Sequence, residues 1–311
     1  MTVLAGIFMN PVLLGVTITS LTVGTLAFGY FRARKRRLFP FYGWLGIFSL
    51  ACAELLMLLR VTPVDGYFLP LAGSAYILIA DAAVLALTGR SRLHSAPFAF
   101  ARLAILSVPL YLVFEGYNLR VQNWIWVGIP QPRPAAMLAY VWNCATIFPS
   151  LFETADLVQA ILPPLPGAPW KIPKSIEYLL ISCGAAFIIL PLVLPIQVAA
   201  YCFGFVWIGF LFFLDPINRR LGLPSVLGDL SEGFYRRVYG FFLSGWICGI
   251  LWEFWNFWSP AKWTYNVPIL QNPKIFEMPV PGFFWFAIFS LECFVMYVTA
   301  AWLAGWLKRV R

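Results

Sequence analysis

Apolar residues run along this chain in nine long blocks, separated by short polar, basic or proline-rich breaks. The blocks fall at about 4–30, 41–60, 69–88, 100–117, 137–161, 176–196, 199–214, 238–258 and 282–306. A helix needs roughly 17–25 apolar residues to cross the hydrocarbon core of a bilayer. All the blocks reach that length except 199–214. The pattern therefore predicts an all-α polytopic membrane helix bundle of about nine transmembrane helices. It leaves open whether 176–214 holds two spans or one interrupted span. The first block is too long for a signal-peptide core and lacks a small-residue cleavage site, so it reads as a retained N-terminal anchor.

A second pattern lies over the first. Phe114-Glu115-Gly116-Tyr117-Asn118 is followed by Trp124, Trp126 and Pro130, and Trp252-Glu253-Phe254-Trp255-Asn256 by Trp263, Tyr265 and Pro268. Glu to Asn is three residues in both, and Glu to Pro is fifteen in both. A further glutamate follows each at a matching distance, Glu153 at 38 residues and Glu292 at 39. Upstream, Asp81 precedes Ser91 by ten residues and Asp215 precedes Ser225 by ten. These coincidences predict an N-terminal anchor and basic segment (1–40), a four-helix unit (41–162), a proline-rich linker (163–175) and a second four-helix unit (176–311). Four spans per unit give both units the same direction through the membrane, which makes them parallel repeats.

Composition agrees. Of 311 residues, 61% are hydrophobic and 11% charged, against about 25% charged in soluble domains. The net charge of +9 is explained by topology. With the Arg32–Arg37 cluster inside, that side also holds Arg90, Arg92, Arg102, Lys171, Lys174, Arg219, Arg220, Arg236, Arg237, Lys308, Arg309 and Arg311. The other side holds Arg60, Arg120, Arg133, Lys262 and Lys274, a ratio of 17 to 5. Cations concentrate on the cytoplasmic side of membrane proteins. The N-terminus is therefore expected outside and the C-terminus inside, in a bacterial inner membrane, with lipids as neighbours and no nucleic acid as a partner. The six cysteines stand singly in apolar blocks, and His94 is the one histidine. That argues against haem, histidine-rich metal sites and a histidine triad; no metal and no cofactor are expected.

The candidate chemistry is acidic. Glu115 and Glu253 fall at span ends, where each shares a helix face with Asn118 or Asn256; they either satisfy the helix end or form a site. Glu153 and Glu292 fall deeper, where a charged residue costs roughly 2.5–3.5 kcal/mol on insertion scales. Within reach of Glu115 or Glu253 they would share a proton as a carboxylate pair. Otherwise they are hydrogen bonds between helices. Trp124, Trp252, Trp263 and Tyr265 are either part of an interfacial aromatic belt or the walls of a pocket beside the acids. Glu277 has no counterpart in the first unit. Glu54 and Asp156 are intramembrane acids without a repeat partner. Asp215-Pro216 reads as the cap and first residue of a short helix.

The tandem multi-span unit, the Trp124-Ile125-Trp126 and Trp263-Thr264-Tyr265 stretches and the intramembrane glutamate after each resemble the membrane-bound lycopene cyclase domain family. That family carries a Pro-x-Glu-Glu where this chain has single acids. Its two homologous halves and acid-initiated cyclisation of a polyene imply an enzyme acting on an isoprenoid or other lipid. Glu253, Glu292, Glu115 and Glu153 would then be catalytic, and Asn118, Asn256, Trp124, Trp252, Trp263, Tyr265 and Glu277 would bind substrate. Two other classes stay open: a transporter or channel for protons, cations or a small solute, and a subunit of a larger complex with membrane-protein partners.

Overall fold

A computed structural model of the chain describes residues 10–33, 36–165 and 167–307. Among them are nine helices long and apolar enough to cross a membrane. They are α1 (Pro11–Arg32), α2 (Phe41–Leu58), α3 (Phe68–Thr88), α4 (Pro97–Val121), α5 (Arg133–Ile161), α6 (Lys174–Val193), α7 (Phe203–Arg220), α8 (Tyr235–Trp258) and α9 (Gly282–Leu303). The protein is thus a multi-pass membrane bundle. Residues 4–9 of the expected first span lie outside the described residues, as do Arg34, Lys35, Lys308, Arg309 and Arg311 of the charge argument.

The stretch 176–214 forms two spans. Leu194 and Pro195 end α6, a short turn of helix (Ile196–Ala199) and a 3-10 turn (Ala200–Cys202) follow, and α7 packs back along α6. Gly184 and Gly209 allow that approach, because a Cβ on Gly184 would strike the backbone of Phe213.

Helices α3, α5, α8 and α9 bury half or more of their most apolar stretch, and the other five less than a quarter. The packing repeats. Helix α2 lies on α3 as α6 lies on α7, α3 on α5 as α7 on α9, and α4 on α5 as α8 on α9. The third helix of each half also crosses to the fourth helix of the other, α8 on α5 and α4 on α9. The two parallel four-helix repeats are joined on one side by a ribbon. Strand β1 (Trp124–Val127) pairs antiparallel with β2 (Lys262–Tyr265), Trp124 opposite Tyr265 and Trp126 opposite Trp263. A second hairpin, β3 (Lys274–Ile275) with β4 (Met278–Pro279), follows in the same connection. Because β1 and β2 meet, the chain between them crosses an even number of times. Helices α5, α6, α7 and α8 satisfy that requirement.

At the opposite end each half repeats a capping device. Asp81 accepts from Ser91 Oγ (2.8 Å) and the Leu93 amide (2.8 Å), at the first turn of a short helix over Arg92–Ser95. Asp215 accepts from the amides of Val226 (2.6 Å) and Leu227 (2.8 Å), at the first turn of Val226–Glu232. Asp215 is therefore no N-cap of its own helix. It sits inside α7 and caps the next one across the loop, where the exposed amides of a helix start attract a carboxylate.

Helices α8 and α9 approach most closely where glycine allows it. Gly245-Trp246-Ile247-Cys248-Gly249 places two glycines one turn apart on one face, and a Cβ on Gly245 would overlap the carbonyl of Phe286. Small residues at this spacing let membrane helices pack backbone to backbone.

Candidate functional site

The ribbon brings the glutamate–asparagine–aromatic sets of both halves together. Residues two apart on a strand share a face. In the first half, Trp124 Nε1–H and Trp126 Nε1–H both donate to Glu115 Oε1, at 3.1 and 3.2 Å. In the second, Tyr265 OH and Trp263 Nε1–H both donate to Glu253 Oε1, at 2.7 and 3.2 Å. Trp126 and Trp263 meet edge to face across the ribbon, with ring centres 5.5 Å apart. Each glutamate thus anchors its own strand to the helix that carries it.

The asparagines close the ribbon's edges. Asn118 Nδ2–H donates to the Trp124 carbonyl (2.8 Å), and its Oδ1 accepts the amides of Asn123 (2.9 Å) and Trp124 (3.2 Å). Asn256 Nδ2–H donates to the Trp263 carbonyl, and its Oδ1 accepts the Trp263 amide, both at 2.8 Å. A strand edge without such partners would leave backbone groups unpaired. An Asn256→Ala protein is expected to lose about 1–3 kcal/mol of stability from the orphaned Trp263 groups. The measurement is the thermal midpoint in detergent. A midpoint equal to wild type would show that the ribbon does not depend on this side chain.

Burial separates the two halves. Glu253 is 0% exposed and its Oε2 has no hydrogen-bond partner among the described residues, whereas Glu115 is half-buried. Burial and the Glu253 carboxyl beside it push the Tyr265 phenol well above its ordinary pKa. The phenol therefore keeps its proton and serves as the donor to Glu253. Beneath the ribbon lies a cavity of about 70 Å³. Trp124, Trp207, Trp252, Trp255, Trp263 and Tyr265 wall it, with Asn143 and Thr146 supplying polar atoms. Trp207 Nε1–H is buried without an acceptor. The cavity thus has one donor waiting for an oxygen or water of its occupant.

Other expected site residues lie elsewhere. Glu292, 0% exposed on α9, takes the Phe210 amide of α7 at 2.8 Å through Oε1. Glu153, also 0% exposed, has both oxygens unpartnered, and the charged groups that act on it are Asp81, Arg92 and Asp156. Neither is hydrogen-bonded to Glu115 or Glu253, so the shared-proton pairs expected from the 38- and 39-residue spacings do not form. A spacing fixes depth along the chain but not which side of a helix faces which neighbour. Glu277 forms an ion pair with Lys262 at 2.5 Å, holding the β3–β4 hairpin to β2. Asp156 pairs with Arg92 through two hydrogen bonds, at 2.7 and 3.1 Å. Glu54, half-buried on α2, accepts Trp255 Nε1–H at 3.3 Å. It belongs to this neighbourhood because Trp255 walls the cavity on its other side.

Among the described residues no cluster of three or more histidine, cysteine or acidic side chains is placed to hold a metal ion. No protein-family model, curated protein or solved structure matches the chain.

Proposed function

We propose that this membrane protein modifies an isoprenoid or another lipid by acid catalysis, in a cyclisation or isomerisation that needs no cofactor. The observation that carries the reading is Glu253. It is a fully buried carboxyl held by Tyr265 and Trp263, two of the residues that wall the tryptophan-lined cavity. In this reaction the Glu253 carboxyl adds its proton to a carbon–carbon double bond. The resulting cation rests against the aromatic faces, which attract positive charge. An adjacent carbon then returns a proton to the carboxylate, so atoms and charge balance. At about 70 Å³ the cavity takes only a small part of a lipid. Asn256 and Trp263 position the acid. Glu115, with Trp124 and Trp126, is the matching and more exposed arrangement of the first half. Glu292 and Glu153 act outside this site.

The likeness of the paired aromatic stretches to the lycopene cyclase domain family supports the same class of chemistry. The 17-to-5 distribution of cations supports a bacterial inner membrane, with the ribbon facing outward. The test compares lipids extracted from a host with and without the gene. A changed isoprenoid or lipid profile supports the reading, and an identical profile sinks it.

One observation favours a second reading, the passage of protons. Glu253, Glu292 and Glu153 are fully buried, each with at least one unpartnered oxygen, and Glu153 lies toward the Asp81 end, opposite the ribbon. Acids spaced through the membrane suit a relay. Proton flux into proteoliposomes that disappears in Glu153→Gln and Glu292→Gln would establish it in place of the enzyme.

A further inference from the structure

Helix α1 lies at the edge of the bundle with little of its surface buried. Of its 22 residues only Gly15 and Thr19 are buried. It touches α8, the β3–β4 hairpin, where Gly15 lies against the ring of Phe276, and α5, where Gly29 lies against Ile161. Beside its contact with α8, α1 stands off from α2 and α3, and the space between them is a groove of about 980 Å³. That volume is at the upper end of the roughly 300–1,000 Å³ typical of small-molecule sites. Leu26, Ala27, Leu50, Ala51, Ile79 and Ala83 line its length.

The two ends differ in chemistry. One carries Arg36 and Arg37, both exposed, with no carboxylate within ion-pair distance among the described residues. The Arg36 guanidinium is steadied over the rings of Tyr30 and Phe31, at 5.4 and 5.2 Å. The Arg37 amide is fixed by the Ala86 carbonyl at 2.9 Å. The other end holds Glu54 and Trp255. Glu54 is thirteen residues beyond Phe41, about 20 Å along α2, which exceeds the ~15 Å of hydrocarbon in one leaflet. The groove is thus a long apolar channel with two forked cations at its mouth. Guanidinium groups bind phosphate oxygens in pairs, and basic pockets between membrane helices take anionic head groups.

We propose that this groove is a specific site for one anionic phospholipid, its phosphate held by Arg36 and Arg37 and its acyl chain laid between α1 and α2 toward Glu54. The site is independent of the acid at Glu253 and stands whether or not that acid is catalytic.

The test uses the full chain in mild detergent, with native mass spectrometry to count retained lipid. Phosphatidylglycerol and phosphatidylcholine of the same chain length are the probes. Wild type is expected to hold one phosphatidylglycerol through delipidation and to release phosphatidylcholine. An Arg36→Gln/Arg37→Gln protein is expected to bind phosphatidylglycerol about 30-fold more weakly, from roughly 1 kcal/mol per lost cation. An Ala51→Trp protein, which keeps both arginines and fills the channel, is expected to lose the bound lipid as well. Equal retention of the two lipids by wild type would mean bulk bilayer lipid only and would overturn the proposal. So would unchanged phosphatidylglycerol affinity in either variant with a wild-type thermal midpoint. If a stoichiometric polypeptide fills the groove instead of lipid, the face is a protein interface and the proposal fails.

Discussion

A Glu253→Gln protein is expected to fold as wild type does and to lose 10²- to 10⁴-fold of lipid turnover, the usual worth of a general acid. The substitution keeps shape and hydrogen bonding. A glutamine carbonyl at the place of Oε1 still accepts from Tyr265 OH and Trp263 Nε1–H, the two donors that hold the carboxyl now. What it lacks is a transferable proton. Stability should therefore fall by no more than about 1–3 kcal/mol, the cost of a buried amide left without a partner, while product disappears from the extracted lipids. Tyr265→Phe separates positioning from proton transfer. It removes the 2.7 Å donor to Glu253 and leaves the acid in place, so turnover should fall less than in Glu253→Gln. Glu115→Gln tests whether the halves share the work, because that carboxyl is held by two indoles in the same manner. Full turnover in Glu253→Gln would end the catalytic reading of this carboxyl.

The second large effect is structural. Gly245→Leu is expected to destabilise the bundle by at least ~1–3 kcal/mol, the usual cost of forcing atoms into a filled space. The new side chain meets the backbone carbonyl of Phe286, which no rotamer change can move aside, and Gly249 one turn later faces the Phe286 ring. Helices α8 and α9 must separate, and α8 carries Glu253 and Asn256. The drop should appear as a lower thermal midpoint in detergent. Gly24→Ala is the control: a Cβ there meets nothing within 4 Å, so no comparable change is expected. Equal midpoints for the two variants would show that the close approach of α8 and α9 does not limit stability.

The span pattern could be read from the sequence because a bilayer imposes one length on every apolar run. Among the described residues, the runs other than 199–214 needed only small changes at their ends. The stretch 199–214 looked short because it leaves out the polar end of α7, which extends to Arg220. The Glu–Asn–aromatic sets were also legible, since a chain this apolar places acids and amides twice at one spacing for a reason. The ribbon itself went unrecognised. Trp124-Ile125-Trp126 and Trp263-Thr264-Tyr265 do alternate with the period of a strand, but four residues between membrane helices read as an interfacial loop. The carboxylate pairs failed for a different reason. Glu153 and Glu292 lie on the expected helices, yet neither is hydrogen-bonded to its expected partner, and direction around a helix depends on packing between distant segments. Glu54 has no repeat partner in the sequence to mark it. Its importance comes from α8, more than 190 residues away, whose Trp255 it contacts.

The pairing of β1 with β2 has one more consequence. Trp124 faces Tyr265 and Trp126 faces Trp263, and in each half the asparagine binds the first aromatic of the pair. Exchanging the halves therefore returns the same arrangement, so the ribbon is self-complementary. A half-length chain would carry everything needed to join a second copy of itself edge to edge. The residues between the halves are held to the second half by Tyr235 OH on the Ala168 carbonyl, Tyr239 OH on the Pro163 carbonyl and the Trp170 amide on the Leu230 carbonyl. The unequal halves, with Glu253 sealed in and Glu115 left half-open, are a difference that two identical chains could not have maintained.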